Sequence, residues 1–484
     1  MRIIGNDPSI PRQAQIVASG TLSTGDAVVV NADGTVSVVG TTTAPSSTPV
    51  FASTTEFTSG AAYQSVSAYD TASNKVVIAY TTSTNNGAGE AVVGTVSGTS
   101  VSFGTPVEFS NNCTNLAIAF DINAGKIVVS YRDGQNSLYG TSRVGTVSGT
   151  SISFGTAAVF NSARTESINN TYDSNSNKVV VSYGDDGSGY DGEAVVGTVS
   201  GTSISFGSKT TFLSGYYAYP TATFDSNSNK VVLSYQDFGN GCYSSVGTVS
   251  GTSISFGTKV LLNSGAADSF TSTFDSSNNK VVVLFREDDG SSDMQCVIGN
   301  VSGTSISFGT KVTARDGVVY QKAATYNPQT GKVFITYRDF SNSSTITALF
   351  ATVSGTTATF SSESTISDTT GRQIASVYDP DTENVLVAYG NSASSDVGTS
   401  VVLSGESTAT NLTSENYIGT AASGAADGTG AKINLKGAVD ENQSGLTAGQ
   451  SYYVQTDGTL GTTPDDPSVF AGTAVAANKL IVKG

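Results

Sequence analysis

The chain contains no histidine and no tryptophan. The missing imidazole excludes Ser-His-Asp and Cys-His catalytic arrangements and every His-containing zinc site. Cysteine is scarce, at Cys113, Cys242 and Cys296. An odd number cannot all pair internally, and the three fall at non-equivalent places in the repeat described below. They are read as buried, reduced thiols of a protein made in the cytosol. Charge is also sparse, at 13% of residues, and no stretch shows a sustained helical period. The 23 basic residues are outnumbered by 39 acidic ones, giving −16 overall. Non-specific nucleic-acid binding needs a basic face, so nucleic acid is not an expected partner. The acidic balance serves solubility. No segment has the length and apolarity of a membrane span, and "MRIIGNDPSIPRQAQIV" lacks the apolar core of a signal peptide. Neither membrane insertion nor signal-dependent export is expected. No Gly-rich phosphate loop runs into a Lys-bearing helix. No cofactor or metal is expected.

What the chain has in quantity is Gly (53), Tyr and Phe (21 each), and a repeat. "SGTSVSFG" starts at Ser97, "SGTSISFG" at Ser148, Ser200, Ser250 and Ser302, and a degraded "SGTTATFS" at Ser354. Between these lies a second marker, as in "YDSNSNKVVVSYGD" from Tyr172. Its acid recurs as Asp70, Asp121, Asp173, Asp225, Asp275, Asn327 and Asp379, 50 to 52 residues apart. A fixed period of about 51 residues signals a solenoid, propeller or array. Each repeat reads as four short strands. Strand a ends at the aromatic–Asp pair and a tight turn follows. Strand b is the "KVVVSY" run, strand c ends in "VGTV", and strand d is "ISFGT" after an "SGTS" turn. Strand b is apolar on both faces, as at Val179–Val181, which suits a sheet sandwiched between two others. Seven such units predict a seven-bladed β-propeller over residues 49–406.

The seventh unit has strands a, b and c but no strand d. "PVFASTTEFTSG" at Pro49–Gly60 aligns with "ISFGTKVLLNSG" at Ile254–Gly265, placing Phe51 over Phe256 and Phe57 over Leu262. The N-terminal segment is therefore expected to supply the missing strand and to close the ring without free edges. Residues 1–42 and 408–484 lack the repeat but resemble each other. "LSTGDAVVVNADGTV" from Leu22 and "LTAGQSYYVQTDGTL" from Leu446 both carry an Asp-Gly hairpin signal. They predict a small β-barrel or sandwich built from both termini, with the propeller inserted in one of its loops. That small domain is expected beneath the propeller face that carries the uniform a–b and c–d turns. The divergent b–c and d–a loops, such as "GDDGSGYDGEA" from Gly184 and "RDFSNSSTIT" from Arg338, then point away from it. A mount with a distal variable face suits recognition.

Carboxylates are the one catalytic currency left. Asp133, Asp185, Asp237, Glu287 and Asp339 recur at the end of strand b. They are read as strand-ending acceptors of backbone hydrogen bonds rather than as a glycosidase pair or a cation ring. Arg132, Arg286 and Arg338 precede this acid by one residue and are read as partners of neighbouring acids or as solvent-facing. No catalytic residue is assigned. The candidate ligand-binding residues are aromatics in or beside the divergent loops: Tyr139, Tyr190, Tyr216, Tyr217, Tyr219, Phe238, Tyr243, Tyr320 and Phe340. Exposed rings stack on sugar faces and anchor interfaces. The "GYYAYP" run at Gly215–Pro220 stands out among them.

The terminal stretches Arg2–Val39 and Ser444–Leu460, with "AGTAVAANKLIVKG" at the end, resemble virion proteins of tailed, particularly marine, bacteriophages. The "VGTVSGTSISFGT" repeat is similar to arrays in phage appendage proteins. The resemblance implies a homo-oligomeric virion structural protein. Its terminal domain would attach to capsid or tail proteins, and its propeller would project as a capsid decoration, head fibre or tail fibre for host attachment. The expected function is non-enzymatic binding of a host-surface glycan or another surface ligand. A virion-associated glycosidase acting on host polysaccharide and a purely structural decoration remain as alternatives.

Overall fold

The computed structural model describes residues 12–82, 87–288, 290, 292–465 and 467–483. Residues 1–11, part of the N-terminal stretch quoted above, lie outside these. The fold is all-β and propeller-like. Among the described residues, every regular element is a strand apart from two short turns of 3-10 helix, Asp186–Ser188 and Ser392–Ser394. The chain divides into two compact units, one of Met1–Pro45 with Glu406–Gly484 and one of Ser46–Gly405.

In the larger unit each sequence repeat folds as an antiparallel meander. The Asp225 repeat serves as the example. Its strand a, Tyr217–Asp225, pairs with strand b, Lys230–Asp237, and b pairs with strand c, Gly241–Ser250. Strand c then pairs with both pieces of a broken strand d, Ser253–Phe256 and Val260–Asn263. The a–b turn is tight because the repeat's acid closes it. Asp225 Oδ1 accepts from the backbone N–H groups of Asn227 (2.9 Å) and Ser228 (3.0 Å). Asp70, Asp173, Asp275, Asn327 and Asp379 accept the same pair of bonds. Asn327 keeps the acceptor oxygen without the charge, so the turn depends on hydrogen bonding rather than on ionisation.

Strand b carries the packing. Val179, Val180 and Val181 are all buried. Val179 and Val181 lie with Val128 and Val144 of the preceding repeat, whereas Val180 lies with Val231, Leu233 and Tyr235 of the following one. Alternate residues of one strand thus fill two different cores, each Val contributing about 1.5–3 kcal/mol of burial. The first strands of all seven repeats contribute to the wall of a single cavity. The strand Thr55–Asp70 pairs with the last repeat's strand c, Val397–Thr410, in the register Ser400↔Thr55, Thr399↔Glu56 and Val397↔Ala61. Phe57 is buried there against Tyr80 and Phe103.

The smaller unit holds two five-stranded sheets. One runs Gln13–Val17, Gly430–Asn434, Tyr417–Ala421, Ala27–Val30, Val36–Val38. The other runs Val439–Asp440, Lys479–Val482, Val469–Ala476, Ser451–Val454, Leu460–Gly461. Val29, Tyr417, Val454 and Leu480, drawn from both sheets, share one core. The two "DGT" hairpins are built alike. Asp33 Oδ1 accepts from the Thr35 N–H (2.9 Å) and hydroxyl (2.6 Å), and Asp457 Oδ1 does the same with Thr459 (2.9 and 2.7 Å).

Consecutive repeats meet where the glycine of "SFG" touches the next repeat's "SGT" turn. A Cβ on Gly104, Gly155, Gly207, Gly257 or Gly309 would lie 1.8–1.9 Å from the backbone oxygen of Thr150, Thr202, Thr252, Thr304 or Thr356, respectively. The sixth repeat has Ser361 at this position, and the seventh repeat has no "SGT" turn to press against it. The Ser361 hydroxyl accepts from the Phe350 N–H instead (2.9 Å). The degraded motif therefore marks a relieved contact. Gly257→Ala is expected to cost more than about 2 kcal/mol in denaturant unfolding, because backbone must move. Ser361→Ala should cost less, about 1–2 kcal/mol, the loss of the hydroxyl's bonds with the Phe350 N–H and the Ser362 carbonyl.

Candidate functional site

The ends of strands b and the starts of strands a lie at the same end of the sheets, together with the divergent loops. A recurring bond links these loops. The backbone N–H of the residue after the strand-b acid donates to a carbonyl in the d–a loop, as in Gly134 to Asn112, Phe238 to Tyr216, Asp288 to Ala266 and Phe340 to Val318. Phe238 and Phe340 thus hold equivalent, tethered positions, and both remain exposed, at 61% and 52%.

Strand a has its own device. Gln64, Asn115, Ser167, Tyr219, Ser269, Gln321 and Gln373 all have φ between 39° and 57°. Each stands six residues before the turn acid of its repeat, and the a–b register shifts there. Every strand a therefore carries a β-bulge at this end of the unit, with a non-glycine residue in the left-handed region. For an aromatic residue such as Tyr219 this conformation is unusual and strained, of the kind that gathers at functional sites.

Tyr219 lines a pocket of 360 Å³ with Asp268, Arg286, Tyr320, Arg338 and Phe340. The Tyr320 and Phe340 rings meet edge to face at 5.5 Å. The Arg286 guanidinium lies 4.3 Å over Tyr320, and Arg338 lies 6.0 Å from Phe340. The two arginines differ in state. Arg286 is held by both carboxylate oxygens of Asp268. Arg338 donates through Nη2 to Ser344 Oγ (3.1 Å), while its buried Nε has no hydrogen-bond partner. Burial, with Arg372 nearby, holds the Arg338 guanidinium below its ordinary pKa. The pocket thus offers three rings, one neutralised cation and one cation with donor capacity to spare.

A second aromatic group lies at the same end. Tyr190 and Tyr216 face each other at 4.7 Å, and Tyr216 meets Phe238 at 5.5 Å. Tyr216 is 45% exposed. Of the nine aromatics singled out from sequence, six thus fall into these two groups. Tyr139 is half-buried and pairs with Asp133 across its hairpin. Tyr243 lies beneath the Lys259 ammonium (4.2 Å), and its hydroxyl donates to the Asn240 carbonyl. Tyr217 is a correction. It is a core residue, packed on Phe212 and Tyr235 with its hydroxyl donating to Ser182 Oγ (3.1 Å), and it offers no surface.

Four of the five strand-b acids are structural ion-pair partners. Lys209 Nζ lies 2.7 Å from Asp185, Lys259 Nζ lies 2.7 Å from Asp237, and Lys311 pairs with Glu287. Each of these lysines lies in the break between the two pieces of strand d of the same repeat. Asp339 pairs instead with Arg315 of the preceding repeat (3.1 Å). In the Asp121 repeat Ala157 stands where Lys209 does, and Asp133 is only half-buried. Sequence reading missed this partner, although "GSK" follows Phe206 and "GTK" follows Phe256 and Phe308. Arg132 pairs with Glu166. Burial acts to raise the Asp185 pKa, but hydrogen bonds from Lys209, Asn161 and the Gly187 N–H outweigh it and leave the value lowered.

Lys209→Met should therefore destabilise the protein by about 1–3 kcal/mol at pH 7. A lowered folded-state pKa stabilises above the ordinary value of 3.8 and is lost as pH falls through the folded value. The deficit relative to wild type should stay constant down to about pH 5 and narrow below about pH 4, as read by denaturant unfolding across pH.

No protein-family model matches the chain, and no curated protein matches it. Two lectins are similar in structure. The BP39L lectin of Burkholderia pseudomallei has 12% identity and a TM-score of 0.49, over 69% of this chain and 97% of that one. The SapL1 lectin, solved with α-methyl fucoside, has 14% identity and a TM-score of 0.39, over 62% of this chain and 96% of that one.

Proposed function

We propose that the Ser46–Gly405 unit is a closed seven-bladed propeller that binds a saccharide at its variable-loop end, without enzymatic activity. Closure is supported by the pairing of Thr55–Asp70 with Val397–Thr410 and by the one cavity that seven first strands share. Saccharide binding rests on one observation, the pocket of Tyr219, Tyr320 and Phe340 between Arg286 and Arg338. Planar apolar rings beside fixed polar donors match the alternation of C–H faces and hydroxyl edges on a sugar. The absence of an enzymatic role is supported by the strand-b acids, four of which are engaged by a lysine or arginine. A glycosidase needs one carboxyl group held protonated, and pairing with a cation favours the opposite state.

The terminal stretches that resemble phage virion proteins extend the proposal. The unit formed by both termini attaches to capsid or tail proteins of a virion assembled in the host cytosol, and the propeller is carried for host attachment.

A glycan array probed with the intact protein tests the binding. Specific sugars should be retained, and Tyr320→Ala and Phe340→Ala should each weaken binding at least about tenfold, since a stacked ring is worth about 0.5–1.5 kcal/mol beyond its buried area. An array left blank by the folded wild type would remove the saccharide reading. Release of reducing sugar from host polysaccharide would replace it with the glycosidase.

A further inference from the structure

The cavity shared by the first strands has a volume of 270 Å³. Ser65, Ser67, Asn170 and Thr221 share its wall with apolar residues such as Leu116, Ile118 and Phe270. Lys322 is the one charged residue among those that line it. The Lys322 ammonium is buried and makes no hydrogen bond. The hydroxyls of Ser65 and Ser67 are likewise buried without a partner. Asn170 is a mixed case. Its amide nitrogen donates to Val128 O and Ser130 Oγ, and its oxygen has no partner. Three unsatisfied donors, the Lys322 ammonium and the two serine hydroxyls, thus line one space, with the Asn170 oxygen as an unsatisfied group that can only accept.

A buried ammonium without a counter-charge costs several kcal/mol. The protein does not neutralise this one. Asp268 is the acid that acts on Lys322, but both of its oxygens are occupied by Arg286, which itself repels the ammonium. We propose that this cavity is a binding site for a small monovalent anion, held by Lys322 Nζ with hydroxyl donors from the same wall. One cation calls for one negative charge, and the wall's hydroxyl donors replace part of an anion's hydration shell. The site is separate from the aromatic pocket, so it does not depend on the saccharide reading.

Burial pushes the Lys322 amine down to about 7, with Asp268 acting to raise it and Arg286 to lower it. Anion binding favours the ammonium and so strengthens as pH falls through that value. For an amine titrating near 7, the charged fraction falls about a hundredfold from pH 6 to pH 9, and apparent affinity falls with it. The test uses the intact protein and bromide. Crystals soaked in sodium bromide at pH 6 should show an anomalous peak at hydrogen-bond distance from Lys322 Nζ. Thermal unfolding against bromide should show a rise at pH 6 that needs about a hundredfold more bromide at pH 9 and is missing in Lys322→Met. An equal rise in Lys322→Met, or bromide-soaked crystals with only water at Nζ, would overturn the site. Should Lys322→Met fail to fold, the anomalous map of the wild type decides alone.

Discussion

The structure depends on how closely one repeat can approach the next. At five junctions the backbone oxygen of an "SGT" threonine occupies the space that a methyl group on the "SFG" glycine would need. This contact brings the sheets near enough for strand b to be buried on both faces. Val180 can then reach Val231 and Leu233 of the following repeat while Val179 and Val181 reach back to Val128. A sheet whose apolar residues point both ways has no stable state alone, so each repeat needs both neighbours. The unusual sameness of the turn sequences follows from this. The "SGT" segments sit where neighbours meet, and the "DSNSN" segments sit where a buried acid closes the turn.

The packing end of each repeat is therefore constrained, and variation is confined to the other end. There the loops are tied by single backbone bonds, such as Phe238 N–H to the Tyr216 carbonyl, which set the loop's path but not its side chains. Residues after the strand-b acid can then be Gly134, Phe238, Asp288 or Phe340 with the same backbone. The strand-b acid itself, in four of its five occurrences, is held in place by a lysine or arginine, which keeps a buried carboxylate from being an isolated charge. Rigid scaffold and variable surface meet at this acid.

Much of this was legible in the sequence. The period, the four-strand reading of each repeat and the pairing of the N-terminal segment with the last repeat came from recurring motifs, because identical contacts at each junction select identical residues. The aromatic pocket was partly legible, since Tyr219, Tyr320 and Phe340 were picked out as loop-end rings. Tyr217 was misplaced for a physical reason. Tyr217 and Tyr219 were both read as candidates because they fall beside a divergent loop, and a regular strand would put them on one face. The bulge between Ala218 and Thr221 breaks that period, and it sends Tyr217 into the core and Tyr219 outward. The bulge left no familiar trace. Left-handed positions are usually betrayed by glycine, but here they are Gln, Asn, Ser and Tyr. Their spacing of six residues before the turn acid was the available signal. Lys322 gave none, because a lysine in a short polar strand reads as a solvated side chain.

The bulges also connect the two regions where the molecule holds unsatisfied polarity. In each repeat the residue in the left-handed conformation separates two stretches of strand a. Tyr219 and Gln321, at that position, line the aromatic pocket, and the stretch beyond the bulge, from Thr221 or Lys322, lines the shared cavity. Without the extra residue the strand would keep one alternation throughout, and a residue chosen to face the pocket would dictate which of its neighbours face the cavity. The bulge uncouples them. Tyr320 can lie beneath Arg286 while Lys322, two residues later, is turned into the cavity among the serines. Seven non-glycine residues held in a conformation that costs about 1–3 kcal/mol each in strain are a steep price for geometry alone, and their side chains offset part of it by bridging repeats. Gln64 accepts from the Asn115 N–H at 2.6 Å, and Gln321 accepts from the Gln373 N–H at 3.3 Å. The strained position thus does two jobs that glycine could not do together, linking neighbouring repeats and separating what strand a presents on either side of it.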